Sequence, residues 1–291
     1  MTVRTDPGST DRRYSDVVHV FEPHSLTLPP LTQYIRELTS RRKFIEELAN
    51  AEVKGQRSST FLGELWSLVD PLFQAAIYYF LFVVIRGGRG GASSTAYATT
   101  IIGSVFFFNY TRIAITDGGR SVLHHRGLVL NAIFPRALLP VAEVYKGFLS
   151  TLPALAIYAV GHLAVRAPIT QALCLLPLLM LIQTAINLGL ALLFSTATVL
   201  FKDMSKLLTY IVRVLTFATP VIYPVSNLSP GIRRVLTWNP LFALFSGYQA
   251  VITGQMPSVG MIAQSMAWAA LFLVVGVRVF LRNERSFALH I

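Results

Sequence analysis

The chain has 291 residues, of which 53% are apolar and only 13% are charged, and its net charge is +11. A soluble domain carries about 25% charged residues, so this composition excludes an ordinary soluble protein. The apolar residues cluster in runs of about twenty, the length at which a helix crosses the ~30 Å hydrocarbon core of a bilayer. We therefore expect an all-α integral membrane protein.

The basic residues flank the apolar runs and do not form a stripe with interleaved aromatics, so we expect no nucleic-acid partner. In a membrane protein, Lys and Arg beside the spans set the topology and contact anionic lipid. Cys174 is the only cysteine and lies inside an apolar run. An internal disulfide and a thiolate metal cluster are therefore excluded.

Residues 1–30 are polar and rich in Ser, Thr and Pro, which predicts a flexible cytoplasmic tail with no signal peptide. In residues 31–64, apolar side chains such as Tyr34, Leu38 and Ile45 recur at helical spacing, with charged residues opposite them. Because an apolar run follows directly, we predict an amphipathic helix in the membrane interface that ends near Gly55. A helix packed on a partner domain is the alternative.

Residues 65–291 are predicted to form a domain of six transmembrane helices, at about 65–85, 96–115, 137–161, 171–200, 207–220 and 259–280. Residues 117–131, between the second and third spans, are predicted to be a cytoplasmic loop with one short helix. Between the fifth and sixth spans, residues 222–257 are apolar but interrupted by prolines and glycines. Ser229-Pro230 and Asn239-Pro240 each place a capping side chain before a proline at the first helical position. We therefore predict two short re-entrant helices there.

An even number of spans places both termini on one side of the membrane. That side would carry the N-terminal segment and most of the basic residues that flank spans, among them Arg120, Arg136, Lys202 and Arg282. The positive-inside rule assigns this side to the cytoplasm. We expect a multi-pass protein of the inner membrane with both termini cytoplasmic.

Several polar side chains fall inside the predicted spans, where charges are costly and usually face the bundle interior or a water-filled path. Asp70, Gln74 and Tyr78 form one stripe on the first span, and Arg213 lies on a similar stripe of the fifth. Gln183 and Asn187 form a third stripe, and Glu143 and Lys146 lie one turn apart, where they can neutralise each other. Interhelical hydrogen bonding is the alternative for each residue.

Aromatic residues crowd the first and second spans. They indicate either an interfacial belt or rings along which a sugar chain slides. Together with the polar stripes they predict a substrate path formed by Asp70, Phe73, Gln74, Tyr78, Phe107, Tyr110 and Arg213. The interrupted segment predicts an extracytoplasmic gate at headgroup depth formed by Tyr223, Arg233, Arg234, Trp238 and Tyr248, with the arginines facing a diphosphate or anionic lipid.

The sequence contains no G-x-x-x-x-G-K-[ST], H-E-x-x-H or G-x-S-x-G motif. His124 and His125 are adjacent, with no third ligand nearby, so we expect no metal site. We predict no catalytic residue and no cofactor in this chain. An intramembrane sugar or lipid transferase is therefore a disfavoured alternative, since it needs a base, metal ligands or a diphosphate clamp.

Several segments together resemble the permease subunits of polysaccharide ABC exporters, which move lipid-linked glycans. These segments are Leu62-Gly63-Glu64-Leu65-Trp66 with Pro71, Phe134-Pro135-Arg136, Lys202-Asp203, Thr219-Pro220-Val221-Ile222-Tyr223-Pro224, Asn239-Pro240-Leu241 and Arg285-Ser286-Phe287-Ala288. The resemblance covers roughly residues 30 to 291. The family's usual Tyr-Arg pair before the first span is replaced by Gln56-Arg57.

This resemblance implies a homodimer that works with two copies of a separate ABC ATPase, which binds the ATP and Mg. The cargo it implies is a polyprenyl-diphosphate-linked polysaccharide, with mycobacterial galactan as the expected glycan. It also implies that the helix before the first span is a gate helix and that residues 117–126 form a coupling helix. The expected ATPase-coupling residues are Arg42, Glu46, Asp117, Arg120, His124, His125 and Arg126. A permease of a small-molecule ABC exporter is the alternative.

Overall fold

The computed structural model describes residues 31–55, 65–81, 92–132, 134–164 and 170–290, and every regular element within these ranges is a helix. The predicted all-α fold is confirmed for this part of the chain. The predicted tail at 1–30 lies outside the described residues, as do 56–64 and 82–91.

Thirteen α-helices occupy the described ranges. They are α1 (Leu31–Ser40), α2 (Arg42–Gly55), α3 (Trp66–Tyr79), α4 (Ala92–Ile113), α5 (Gly119–His124), α6 (Arg126–Asn131), α7 (Leu138–Ala164), α8 (Leu176–Leu200), α9 (Met204–Ala218), α10 (Pro230–Leu236), α11 (Phe242–Ile252), α12 (Val259–Asn283) and α13 (Phe287–His290). A π-helical turn, Ala114–Gly118, joins α4 to α5, and a 3-10 turn, Gln171–Leu175, precedes α8.

The predicted interface helix is two helices, α1 and α2, separated at Arg41. At the end of α1, Thr39 Oγ1 donates to the carbonyl of Arg36 at 2.9 Å, and Ser40 Oγ donates to the carbonyl of Glu37 at 2.8 Å. These side chains bond to the same carbonyls that a continuing helix would use, which favours a helix end. The prediction of one continuous helix was therefore wrong at this point.

Within the described ranges, four helical stretches are long and apolar enough to cross a membrane: Tyr97–His124, Leu138–Ala164, Gln171–Leu200 and Val259–His290. They correspond to the second, third, fourth and sixth predicted spans. The second is longer than predicted, because the π turn carries the helix directly into α5, and α6 follows after a turn at His125. The predicted loop at 117–131 is therefore mostly helix. The first and fifth predicted spans correspond to α3 and α9, of 14 and 15 residues, and the count of six stays a prediction.

Two short helices, α10 and α11, lie between α9 and α12, where two were predicted. Pro230 is the first residue of α10, but the side chain of Ser229 makes no capping hydrogen bond. Asn239 Oδ1 accepts a hydrogen bond from the backbone amide of Leu241 at 3.0 Å, so its side chain caps this turn as predicted, although α11 begins only at Phe242. Asn239 Nδ2 donates to the carbonyl of Ala218 at 2.8 Å, which ties this turn to the end of α9. Whether α10 and α11 enter the bilayer stays a prediction.

A buried polar network holds α4, α8 and α11 together. Gln183 Nε2 donates to the carbonyl of Phe107 at 2.7 Å and to Thr111 Oγ1 at 2.9 Å. The hydroxyl of Tyr248 donates to Gln183 Oε1 at 2.8 Å. Gln183 therefore joins helices, as expected of a polar side chain buried between apolar spans.

Two long helices, α8 and α12, cross in close backbone contact at Gly189 and Gly276. A Cβ atom added at Gly189 would overlap the backbone of Phe272, and one added at Gly276 would overlap the carbonyl of Gly189. Small residues at such a crossing allow backbones to touch, which is how helices gain packing energy in a bilayer.

We expect Gly189→Ala and Gly276→Ala each to destabilise the protein by about 1–3 kcal/mol, because the overlapping atoms are backbone and cannot rotate away. Thermal unfolding of the detergent-solubilised variants checks this. Gly161→Ala is the matched control, since a Cβ there meets nothing within 4 Å. An unfolding temperature equal to that of the wild type at both crossing positions would contradict the close packing.

Candidate functional site

Charged side chains converge where α2, the π turn and α7 meet, at the end of the bundle that we call the α2 end. They border a cleft of about 430 Å³ lined by Glu52, Gly55, Asp117, Arg120, His124, Glu143 and Lys146. Within the described ranges no group of three or more His, Cys, Asp or Glu side chains has the arrangement of a metal site. We call Glu52, Asp117, His125, Glu143 and Lys146 the charge cluster.

Lys146 is the centre of the charge cluster and is only 5% exposed. Its Nζ lies 2.8 Å from Glu52 Oε2 on α2 and 3.6 Å from Asp117 Oδ2 in the π turn, and it also pairs with Glu143 one turn away. The predicted pairing of Glu143 with Lys146 is confirmed. Carboxylates from three separate elements therefore share one buried ammonium group.

His125 joins the turn between α5 and α6 to α2. Its Nε2 lies 3.0 Å from Glu52 Oε1, and its Nδ1 lies 2.9 Å from the carbonyl of Ser121. Since both ring nitrogens face acceptors, the imidazole can donate to both only as the cation. The neighbouring Glu52 carboxylate raises the pKa of His125, against the opposing effect of partial burial.

Glu52 was missed in the sequence, although it contacts both Lys146 and His125. Burial acts to raise the pKa of this carboxyl, but hydrogen bonds from His125 and Lys146 outweigh it and lower the pKa to about 2. A signal was present, since Glu52 follows Ile45, Leu48 and Ala49 on one helical face, and Ala49 is buried. A charge on the apolar face of an amphipathic helix indicates a buried partner.

The predicted coupling residues fall into two groups. Asp117, Arg120 and His125 contact groups within the chain, and Arg120 Nη2 donates to the carbonyl of Ser205 at 2.5 Å and to Thr209 Oγ1 at 3.1 Å. The role of these three in coupling to an ATPase stays a prediction. The other coupling residues, Arg42, Glu46, His124 and Arg126, are exposed at the same end of the molecule.

Two of the sequence segments that carry the family resemblance meet beside α1. Glu284, next to the C-terminal segment, accepts a hydrogen bond from the hydroxyl of Tyr34 at 2.9 Å and from the backbone amide of Arg136 at 2.6 Å. The Arg136 side chain also donates to the carbonyl of Glu284. Burial raises the pKa of Tyr34, so this hydroxyl keeps its proton and acts as the donor. These contacts fix α1 against the ends of α7 and α12.

A groove between α3, α4 and α7 contains several of the predicted path residues. Its half nearer the α2 end has a volume of about 620 Å³, and polar side chains that include Asp70, Gln74, Asn109 and Arg112 line it. The other half of the groove is a separate cavity of about 870 Å³, which α3 lines with a different face. Its lining is almost wholly apolar and includes Leu72, Tyr79, Ile102 and Val160. Phe106 borders both halves.

The exposed path residues lie along this groove or on the adjacent open face. Phe73 is 63% exposed, Asp70 is exposed, and Gln74 Oε1 accepts a hydrogen bond from Asn109 Nδ2 at 2.7 Å. Arg213 is exposed on α9, with its guanidinium 5.7 Å from the ring centre of Tyr210. Tyr78 is half-buried and packs on the core.

Three predicted path and gate residues are core residues in this chain. Phe107 stacks on Tyr248 with ring centres 3.9 Å apart, and Tyr248 is wholly buried. Tyr110 is also buried, and its hydroxyl donates to Thr184 Oγ1 at 3.1 Å. The expectation that these rings face an open path or the headgroups was wrong, because α4 is enclosed by its neighbours and its aromatic residues fill the space between helices.

The other predicted gate residues lie at the opposite end of the bundle, which we call the α10 end. Trp238 is 81% exposed, and Arg233 and Arg234 are exposed on α10. Tyr223 is partly buried, and its hydroxyl donates to the carbonyl of Phe217 at 2.9 Å. These positions are compatible with the predicted gate but do not test it.

Comparison with known proteins decides the family. Residues 45–253, most of the chain, match the ABC-2 type transporter family. The chain belongs to this family. It is 22% identical over 244 residues to an O-antigen export system permease protein RfbA of Klebsiella pneumoniae, covering 83% of this chain and 92% of that protein. It is 25% identical over 223 residues to an RfbA of Myxococcus xanthus, covering 76% and 84%.

The match includes the charge cluster and the groove, so both belong to the ABC-2 type transporter domain. It begins inside α2 and ends just after α11. The apolar helices of this ABC-2 type transporter place it in a membrane.

The attachment of α2 in this ABC-2 type transporter should weaken with rising pH. Because the folded pKa of His125 is raised, its stabilising effect is complete below the ordinary value of 6.5 and is lost as the pH rises through the raised value. Between pH 6 and pH 9 we expect protection of the α2 amides from hydrogen exchange, corrected for intrinsic rates, to fall.

Glu52→Gln should abolish most of this pH dependence. Glu37→Gln, which alters an exposed pair with Arg41, is the control and should leave it unchanged. Equal pH dependence in Glu52→Gln and the wild type would show that His125 does not attach α2.

Proposed function

We propose that this chain is the membrane subunit of an ATP-driven exporter that moves a polyprenyl-diphosphate-linked polysaccharide across the inner membrane. The proposal rests on the family match over residues 45–253. It also rests on the similarity of this chain to two O-antigen export permeases over most of their length. Both termini and the α2 end lie in the cytoplasm, and the α10 end faces outward. In this arrangement α3 and α9 complete a set of six spans.

The two halves of the groove suit the two parts of such a substrate. The polar half contains Arg112, whose guanidinium can bind a diphosphate by charge-assisted hydrogen bonds. The apolar half suits a hydrocarbon chain, since few polar groups there would lose hydration. In this proposal the diphosphate enters the polar cavity on the cytoplasmic side, and the lipid passes Phe106 to reach the separate apolar cavity.

The glycan we propose is a galactan, as the sequence resemblance implies. At the outer side, Arg233 and Arg234 lie where an emerging diphosphate can contact them, and Tyr223 and Trp238 lie beside them at headgroup depth.

Energy comes from two copies of a separate ABC ATPase, which hold the ATP and Mg. The exposed apolar side chains of α6, Leu128 at 38% and Leu130 at 48%, offer a docking surface at the α2 end. Arg42, Glu46, His124 and Arg126 surround it with charged and polar groups. An apolar centre with a polar rim is typical of a protein interface.

The chain itself works as a homodimer. In one copy, α3 exposes Phe73 and Ile77, each more than 60% exposed, and α9 exposes Val214 and Phe217 to a similar extent. Both faces also carry a charge, which lipid alone accommodates poorly.

Transport by purified protein tests this function. Vesicles containing the chain and its ATPase should internalise a fluorescent polyprenyl-diphosphate galactan only with ATP, and the chain alone should neither bind nor hydrolyse ATP. Arg112→Gln should lower the rate about tenfold through loss of charge-assisted binding. Hydrolysis by the chain alone, or transport of free small molecules in place of the lipid-linked glycan, would refute the proposal.

Docking through α6 is tested separately. Leu128→Asp with Leu130→Asp should abolish co-purification of the ATPase, since two buried charges would face an apolar surface. Leu289→Asp is the control, because Leu289 is 85% exposed on α13 and is not part of the proposed docking surface. If the double variant retains the ATPase and ATP-dependent transport, α6 is not the docking surface.

A further inference from the structure

We propose that Asp70 on α3 of one copy forms an ion pair with Arg213 on α9 of a second copy, so that each polar groove is completed by the partner's guanidinium. This inference rests on the proposed homodimer and names the surface that forms it. Twofold symmetry makes the contact occur twice, because the same patches meet in both directions.

The first argument is the state of the two charges within one copy. Asp70 has no ion-pair partner among the described residues, and Arg213 has a ring contact with Tyr210 but no carboxylate partner there. Both side chains are exposed. An unpaired carboxylate and an unpaired guanidinium on apolar helices are costly in contact with lipid, so each requires a counter-charge or water.

The second argument is that the two charges lie at the same depth. The hydrogen bond from Asn109 to Gln74 aligns antiparallel α3 and α4, so Asp70, four residues nearer the α2 end, is level with about Ile113. On α9, Leu208 packs on Gly119. Arg213 is five residues, or about 7.5 Å, farther from the α2 end and is level with about Ala114.

The third argument concerns the other cations near Asp70. Lys146 is shared by Glu52, Asp117 and Glu143, and Arg112 Nε donates to Asn109 Oδ1 at 3.3 Å. Arg120 is bonded to α9. Arg112 is exposed and borders the same cavity as Asp70, but the two side chains form no ion pair within one copy. Arg213 is a second exposed cation at this depth, on the open face of α9.

The fourth argument is the composition of the two faces. Asp70 shares its face of α3 with Phe73 and Ile77, and Arg213 shares its face of α9 with Tyr210 and Phe217. Each face is therefore one charge bordered by large apolar side chains. Two such faces of opposite charge are complementary, and burying them against each other removes both from lipid.

The pair has a consequence for the groove. Asp70 lines its polar half, where an unpaired carboxylate would repel an incoming diphosphate. A guanidinium from the partner neutralises this charge and adds donors next to Arg112. The polar half is therefore incomplete in one copy and becomes suitable for an anion only in the dimer.

Cross-linking between two differently tagged copies tests the contact. In a Cys174→Ala background, one copy carries Asp70→Cys and the other carries Arg213→Cys, and a short bifunctional maleimide is added to native membranes. We expect a cross-linked species that bears both tags. Val160→Cys with Val274→Cys, two exposed positions on α7 and α12, is the control and should give none.

Charge reversal gives an independent measurement. Asp70→Arg and Arg213→Asp should each lower the fraction of co-purified tagged partner about tenfold, since like charges then face each other, and the double reversal should restore it to within about twofold. If Arg112→Asp, and not Arg213→Asp, restores co-purification of the Asp70→Arg variant, the ion pair lies within one copy and the proposal is wrong.

The outcomes separate this inference from the homodimer itself. If wild-type copies co-purify but the Asp70 and Arg213 positions do not cross-link, the ion pair is wrong and the dimer stands. If wild-type copies do not co-purify, the dimer is wrong and the ion pair with it.

Discussion

The buried ammonium group of Lys146 is the interaction on which the arrangement of the α2 end depends. It is held by Glu52 of α2, Asp117 of the π turn and Glu143 of α7. Removing one member of a buried ion pair commonly costs 3–5 kcal/mol, because the remaining charge is left without compensation. A displacement of α2 therefore changes the partners of Lys146 and, through Asp117, the surroundings of the π turn.

A change in the surroundings of Asp117 acts on the π turn that contains it. This turn joins α4, which packs in the core, to α5, whose Arg120 is bonded to the start of α9. Single π turns inside α-helices are rare and occur frequently at functional sites. α2, α5 and α9 are therefore connected to one another through the charge cluster and the hydrogen bonds from Arg120 to α9.

Much of the fold could be predicted from the sequence, because runs of apolar residues specify long helices by length alone. For the fourth span, Gln171–Leu200, the sequence predicted both end residues correctly. The break at Arg41 and the helix through 117–131 were not, since they depend on local hydrogen bonds and on packing that periodicity does not record. Glycines at 118 and 119 suggested a loop, but in the structure they allow close approach to Ala191 and Leu208.

The site was less predictable for a physical reason. Spacing places residues on a helical face but does not say what covers that face. Phe107 and Tyr110 had the same aromatic signal as Phe73, yet α8 and α11 cover them while Phe73 is open. Glu52 was missed because its importance comes from Lys146, 94 residues away in the sequence.

Polar groups with a structural role differ from those with a functional role in whether their hydrogen-bond and charge partners lie inside one copy. Gln183 has partners on both its amide nitrogen and its oxygen, and the charge cluster surrounds its one ammonium with carboxylates. Asp70 and Arg213 lie on open faces without a counter-charge in the described part of the chain. In a membrane, where leaving a charge unpaired is expensive, groups of the first kind stabilise the fold of one copy. Groups of the second kind indicate where the copy is incomplete, and of the two Asp70 borders the polar half of the groove.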